Sequence, residues 1–222
     1  MKEIILDTET TGLSVKDGHR IVEIGCIELD NLIPTNRIFH YYLNPERKVS
    51  EEALKVHGHT DEFLSDKNKF DQIADKFIEF IKGKKIIIHN ADFDMSHINN
   101  ELLIAGKDKI TKESVIDTLD LARNKFPGSS ISLDALCKRF RIDNSKRLKH
   151  NALIDCELLS KVYINLIDQK EPRLNFNQVV EIKKIKDAQQ INNYSKKIIF
   201  PTMEEINKHK EFLKKDLKKN HF

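Results

Sequence analysis

Two carboxylates, Asp7 and Glu9, follow a short run of β-branched and aliphatic residues (4–6) near the start of the chain. The run reads as a buried strand, and Thr10, Thr11 and Gly12 close a turn after it. Residues two apart on an extended segment face the same side, so both acids address one spot at the end of a hydrophobic strand. Two acids there repel unless a cation lies between them. A hard divalent ion with oxygen ligands meets that need. The alternative is a strand end with two solvated acids, and D-x-E alone does not choose between them.

A second acidic stretch, His89-Asn90-Ala91-Asp92-Phe93-Asp94, follows the apolar run KKIII where a helix should begin. Helical steps from Asp94 reach Ile98, Leu102 and Ala105, an inward face. Asp92 lines up instead with Ser96, Asn99 and Asn100, and suits the outward side of a helix N-terminus. An acid on the inward face needs a partner, which singles out Asp94. The third stretch is His150-Asn151-Ala152-Leu153-Ile154-Asp155, which enters a long amphipathic segment. Ile154, Leu158, Val162 and Leu166 mark its buried stripe, with Asp155 at the edge. Five residues along a helix amount to about 140° beyond a full turn, so His150 and Asp155 cannot share a helical face. His150 therefore belongs in the loop before the helix, leaning over a site that Asp155 lines from within.

These residues need elements to hold them. Residues 20–29 and 36–43 read as a second and third strand, meandering from the first. A short helix over 50–56 runs into His57-Gly58-His59, and residues 70–81 carry apolar side chains at helical spacing. A strand over 84–89, a helix over 92–105 and a brief strand over 115–117 follow. Helices over 119–125, 133–140 and 151–167 complete the pattern. Three strands, then alternating strands and helices, describe an α/β layer architecture: a mixed five-stranded sheet flanked by helices.

From Asp168 the texture changes. Residues 169–195 are polar, rich in Asn, Gln and Lys, and read as a flexible linker. Ile198, Ile199 and Phe200 form an apolar triplet. Thr202 and Glu205 then compose a capping box, opening a helix with Met203, Ile206, Leu213 and Leu217 on one stripe. The chain thus divides into a body over 1–168, a linker over 169–195 and a tail over 196–222.

The composition of the 222 residues, 39% hydrophobic and 33% charged, suits a soluble globular protein. No run approaches the ~18 apolar residues of a membrane span. The sequence opens directly into its first strand, with no expectation of a signal peptide. Cys26, Cys137 and Cys156 are odd in number and widely spaced, which argues against a disulfide framework or zinc site and for the cytoplasm. Residues 183–222 hold eleven lysines against five acids, an excess of six that leaves the rest at −3 of the net +3. An acidic body that holds divalent metal can still bind nucleic acid, because the ions supply the positive charge.

The segments DTETTG, HNADFD and H-x4-D, in that order, resemble the three motifs of the DEDDh 3′–5′ exonucleases, which have a ribonuclease H-like fold. VHGHTDEFL, SLDALCKRFRIDNSKR and HNALIDCELLSKVYINL resemble the branch of that family that proofreads for bacterial DNA polymerase III. The resemblance covers roughly residues 2–168 and resumes at KKIIFPTMEEINKHK in the tail. It implies that Asp7, Glu9, Asp94 and Asp155 hold two Mg²⁺ or Mn²⁺ ions, with His150 as general base. The residue types suit that chemistry, since carboxylates favour Mg²⁺ and Mn²⁺ over zinc. Two such ions stabilise the entering and leaving oxygens of phosphodiester hydrolysis. The products would be deoxynucleoside 5′-monophosphates from a DNA 3′ end.

The resemblance also implies a substrate role for Thr8, Thr10, Leu13, His57 and Phe93, with Leu13 wedged between bases. For His57 and His59 a surface His-Gly-His turn stands as the other reading. His89 is either a hydrogen-bonded structural residue or a phosphate contact, and Phe93 either a substrate contact or core. Residues 171–176 (EPRLNF), with Gln169 nearby, loosely resemble a sliding-clamp peptide and equally suit a plain linker. The tail over 196–222 resembles a segment that binds the polymerase alpha subunit, and a tether of this kind raises the local concentration of nuclease at a primer end. Two competing readings are a stand-alone DEDDh nuclease trimming RNA or single-stranded DNA, and a catalytically silent scaffold joining polymerase to clamp. The partner-like tail opposes the first and the intact acids oppose the second.

Overall fold

The computed structural model of the chain describes residues 2–168 and 200–216. The clamp-like peptide, the linker, Ile198, Ile199 and Leu217 lie outside the described residues. The two described segments fall in separate units and are taken in turn.

The first holds five strands: β1 (Lys2–Thr10), β2 (Ile21–Asp30), β3 (Ile33–Tyr42), β4 (Lys85–Ile88) and β5 (Val115–Asp117). Its helices are α1 (Glu51–His57), α2 (Asp61–Leu64), α3 (Phe70–Ile81), α4 (Ala91–Ile104), α5 (Thr118–Lys125), α6 (Leu133–Phe140) and α7 (Ala152–Leu166). The strands form one mixed sheet in the order β3-β2-β1-β4-β5, antiparallel from β3 to β1 and parallel from β1 to β5.

Alternation along the strands divides the core. Ile4, Leu6, Ile24, Ile86 and Ile88 pack with Phe70, Ile73 and Phe77 of α3 and Met95, Ile98 and Leu102 of α4. Ile5, Ile27, Leu29 and Ile87 pack on the other face with Leu136 of α6 and Leu159, Val162 and Tyr163 of α7. Residues of even number on β1 thus face α3 and α4, and odd ones face α7.

Three departures from the sequence reading have local causes. β1 does not end at its acids: Asp7, Thr8 and Glu9 stay paired with Gly25, Ile24 and Glu23 of β2. Only the β4 side of β1 is released, after Ile5 pairs with Ile87. β3 begins at Ile33 rather than at residue 36, because Asn31 and Leu32 take positive φ (49° and 67°) and close a tight turn. Pro34 is tolerated there because β3 is an edge strand. α7 starts at Ala152, one residue later than expected, and Asn151 caps it by accepting from Ile154 N.

The second described segment carries α8 (Met203–Asp216). The capping box forms as expected: Thr202 Oγ1 accepts from Glu205 N at 3.3 Å, and Thr202 N donates to Glu205 Oε2 at 2.8 Å. Phe200, Met203 and Phe212 are exposed, while Ile206 and Leu213 are half-buried. Among the described residues no helix is long and apolar enough to cross a membrane.

Candidate active site

Where β4 stops, β1 runs on alone on that side, and the two faces of the sheet meet around its end. Asp7 and Glu9, of odd number, look toward α7, while Thr8 looks toward α4. Thr8 donates from N (3.0 Å) and from Oγ1 (2.7 Å) to Asp94 Oδ1, drawing the first turn of α4 over the strand. Asp94 is buried and Asp92 exposed, ion-paired to Lys112. The start of α4 is fixed by Asp117 at the end of β5, which accepts from Asn90 N and Ala91 N. Asn90 adopts φ +69°, a conformation asparagine tolerates, to make the abrupt turn from strand to helix.

From the other face, α7 comes unusually close. A Cβ on Gly25 would lie 2.7 Å from the Ala152 carbonyl carbon, so only glycine lets the helix N-terminus rest on β2 opposite Asp7. Cys156 Sγ seals this contact by donating to Gly25 O at 3.2 Å. Asp155 is consequently fully inside rather than at the edge of its stripe, because α7 is buried on most of its circumference, at Cys156, Leu159 and Tyr163 as well as at Leu158 and Val162. His150 lies in the loop before α7, its backbone N–H bonded to Val56 O, with Nδ1 3.6 Å from Asp155 Oδ2.

Ten of the residues singled out from the sequence line one cleft of about 970 Å³: Asp7, Thr8, Glu9, Thr10, Leu13, His57, Phe93, Asp94, His150 and Asp155. Ligand atoms of Glu9, His150 and Asp155 lie within 4.8 Å of one another, a spacing that suits a metal ion. Asp7 and Asp94 border this group without joining it at that distance. Burial, then the charges of Asp94, Glu9 and Asp155, hold Asp7 well above the usual carboxylate range. Burial and the charges of Asp155 and Glu23 push Glu9 up to about 8. Burial lifts Asp94 to about 7 against the lowering effect of its bonds from Thr8. Such a set is short of positive charge, and hard oxygen donors with one imidazole suit a divalent ion.

The weaker candidates sort by contact. The Thr10 hydroxyl donates to Gly12 O, so it stitches the turn. Leu13 is 85% exposed at the cleft mouth, its carbonyl held by His97 Nε2. His57 is buried at the end of α1 and lowered to about 4 by burial and by neighbouring His59. His59 bonds buried Glu23 at 2.7 Å, so neither histidine belongs to a surface turn. His89 bonds Thr118 at 2.9 Å and also borders the cleft. Phe93 is half-buried against His97 and faces the cleft rather than the core.

Two features escaped the sequence reading. Arg147 reaches into the acids and grips Asp155, although nothing along the chain separates it from neighbouring Lys146 and Lys149. Glu23 gathers His40, His59 and Asn151 behind the site, a group assembled across 128 residues of sequence. The Glu in RIVEIG was the one available signal: an acid set among the apolar residues Ile21, Val22 and Ile24.

The exonuclease family RNase_T matches residues 4–163. The chain is 48% identical to the DNA polymerase III subunit epsilon of Rickettsia conorii, over 98% of this chain and 97% of that one. This chain belongs to that exonuclease family and to its DNA polymerase III epsilon branch. Among solved structures, exonuclease X in complex with 5′ overhanging duplex DNA is 26% identical, with TM-score 0.59 over 75% of this chain and 92% of that one. The nuclease domain of 3′hExo, a DEDDh family member bound to rAMP, shares the fold at 21% identity and TM-score 0.65, covering 78% and 96%. The fold is thus the ribonuclease H-like one of the DEDDh exonucleases, and enzymes of that family work with divalent metal ions. The protein is a nuclease.

Proposed function

We propose that this exonuclease carries out 3′–5′ proofreading through Asp7, Glu9, Asp94 and Asp155 as ligands of two divalent ions, Mg²⁺ or Mn²⁺, with His150 as general base. The observation that carries the reading is the convergence, at one strand end, of four acids whose charge has no sufficient counter-ion. When bound, such ions acidify water and stabilise the developing charge on the entering and leaving oxygens. Asp94, held by Thr8, and Asp155, held beneath His150, give the ligand set from two opposite faces of the sheet.

His150 sits below its ordinary pKa because of burial and the Arg147 charge, so its imidazole is neutral near pH 7, the form a general base requires. Water's oxygen bonds to the phosphorus of the last phosphodiester, its proton passes to His150, and the P–O3′ bond breaks with its electron pair on the 3′ oxygen, which takes up a proton from solvent. A deoxynucleoside 5′-monophosphate leaves, and the shortened strand keeps its 3′ oxygen. Leu13, exposed at the mouth, is placed to wedge under the terminal base, with Phe93 and His57 lining the cleft beside it. A mispaired end frays and delivers its strand at lower cost. The three buried free cysteines suit the reducing cytoplasm.

The tail over 196–222 is proposed to bind the polymerase alpha subunit. An apolar stripe on α8 that begins at exposed Met203, with Phe200 exposed ahead of it, suits a groove or strand-addition contact. Residues 169–176 are proposed to contact the sliding clamp. The test is excision of a mispaired 3′-labelled primer with Mg²⁺, with EDTA, and with Asp7→Ala. Release of mononucleotides that needs both metal and Asp7 is expected; Asp7-independent or absent release would favour the silent scaffold. Preference for RNA ends would favour the trimming nuclease. Pull-down of the polymerase subunit should be lost on deleting residues 196–222.

A further inference from the structure

The guanidinium of Arg147 sits among the acids, and beyond helping to hold His150 neutral it takes no part in the hydrolysis. Its Nε donates to Asp155 Oδ1 at 2.5 Å and its Nη2 donates to Asp155 Oδ2 at 2.8 Å. Both oxygens of that carboxylate are therefore engaged. Nη1 donates to Asp134 Oδ2 at 2.8 Å, anchoring the side chain, which is only 8% exposed, to α6. Nη2 also lies 3.0 Å from His150 Nδ1. A guanidinium has donors and no acceptor, so the nitrogen facing it must be the one that accepts. Neutral His150 thus carries its proton on Nε2, and its lone pair points at Arg147.

We propose that Arg147 is a positioning residue that competes with divalent metal for Asp155, and that the same side chain withholds the His150 lone pair until metal wins. This rests on the reading of Asp155 as a metal ligand. A forked arginine–carboxylate pair is strong and geometrically specific, so an ion that approaches Asp155 through the lone pairs facing Arg147 displaces one of its two bonds. The guanidinium charge also repels any cation entering the cluster. Because one side chain holds both Asp155 and His150, displacement at the carboxylate frees the base in the same movement. The chain would then meet DNA with a competent base only when its metal is in place.

The sign of one measurement decides. If Arg147 competes, Arg147→Gln binds metal more tightly, about three- to tenfold for loss of one charge and one fork. If Arg147 merely shapes Asp155 for the ion, the same variant binds more weakly. Mn²⁺ would be titrated into the full chain without DNA, and free Mn²⁺ read by electron paramagnetic resonance. Arg147→Lys, which keeps the charge and loses the fork, should fall between wild type and Arg147→Gln, and serves alone if the glutamine variant does not fold. In ¹⁵N spectra the His150 Nδ1 signal of the wild type should shift on adding Mg²⁺, whereas in Arg147→Gln it should already sit at its released position. Wild type that binds Mn²⁺ while the variants bind equally or more weakly overturns the competition alone. Wild type that binds no Mn²⁺ brings down the proposed ligand set as well.

Discussion

Two groups of buried acids stand side by side on β1 and β2, and they are built in opposite ways. Glu9 and Glu23 are direct partners across the ladder, one at 7% exposure and the other at 0%. Burial alone would lift Glu23, yet hydrogen bonds from His40 and His59 outweigh it and bring its carboxyl below the ordinary value. Asn151 adds a third donor at 2.6 Å. Glu9 lies one strand away, receives no side-chain hydrogen bond among the described residues, and is pushed up to about 8. The first acid is satisfied by its own protein. The second is left in deficit, together with Asp7 and Asp94, where the cleft opens. Perturbed carboxylates in a cleft are candidates for chemistry, whereas an acid satisfied by its own protein serves architecture.

The contrast can be broken by neutralising each group in turn. Asp7→Ala should have the largest effect, lowering mononucleotide release by about a thousandfold or more, since a lost ligand removes transition-state charge stabilisation. A labelled-primer gel reads it directly. A variant that keeps more than a tenth of wild-type activity would remove Asp7 from the ligand set. Glu23→Ala should cost about 3–5 kcal/mol in urea unfolding, because it leaves the half-buried His40 and His59 and the α7 cap without their acceptor. Glu9→Gln should run the other way and stabilise the metal-free chain by about 1–2 kcal/mol while abolishing excision, as expected where a site carries unfavourable charge. Equal destabilisation by Glu9→Gln and Glu23→Ala would erase the distinction.

Acidity offers a gentler probe. Glu9 and Asp94 titrate higher when folded than when unfolded, so the folded chain binds more protons through this range. Stability in EDTA should therefore be greatest below about pH 3.8 with respect to these groups, and should fall as pH rises toward 8. Saturating Mg²⁺ should flatten that slope, since the ion replaces the protons. Melting curves at pH 5, 6.5 and 8 with and without metal give the comparison. A slope unaffected by metal would separate the raised acids from ion binding.

The smallest effect belongs to the linker between the two groups. Asn151 caps α7 and donates to Glu23, so Asn151→Ala should cost about 1 kcal/mol for the lost cap. It should also slow excision modestly by loosening His150 next to it. An unchanged excision rate at a reduced melting temperature would show that Glu23 supports stability without tuning the base.

Much of this arrangement was legible in one dimension. The strand–acid–turn of residues 2–12, the helical face that separates Asp94 from Asp92, and the loop position of His150 all follow from period and spacing. Local geometry converts such spacing into direction within one element. It also sufficed for the capping box at Thr202 and Glu205, which joins residues three apart. What spacing could not supply was the distance between elements. Gly25 is silent in sequence, and it becomes decisive only because Ala152 arrives 127 residues later to lie on it. Arg147 and Glu23 acquire meaning the same way, from partners that only packing brings near. The sequence alone determined which side chains are candidates for the chemistry and, for Asp7, Glu9 and Asp94, which way each points along its own strand or helix, because period is a property of neighbours. Tertiary structure alone decided which acids are satisfied and which are left wanting a cation, because burial and counter-charge are set by residues distant along the chain.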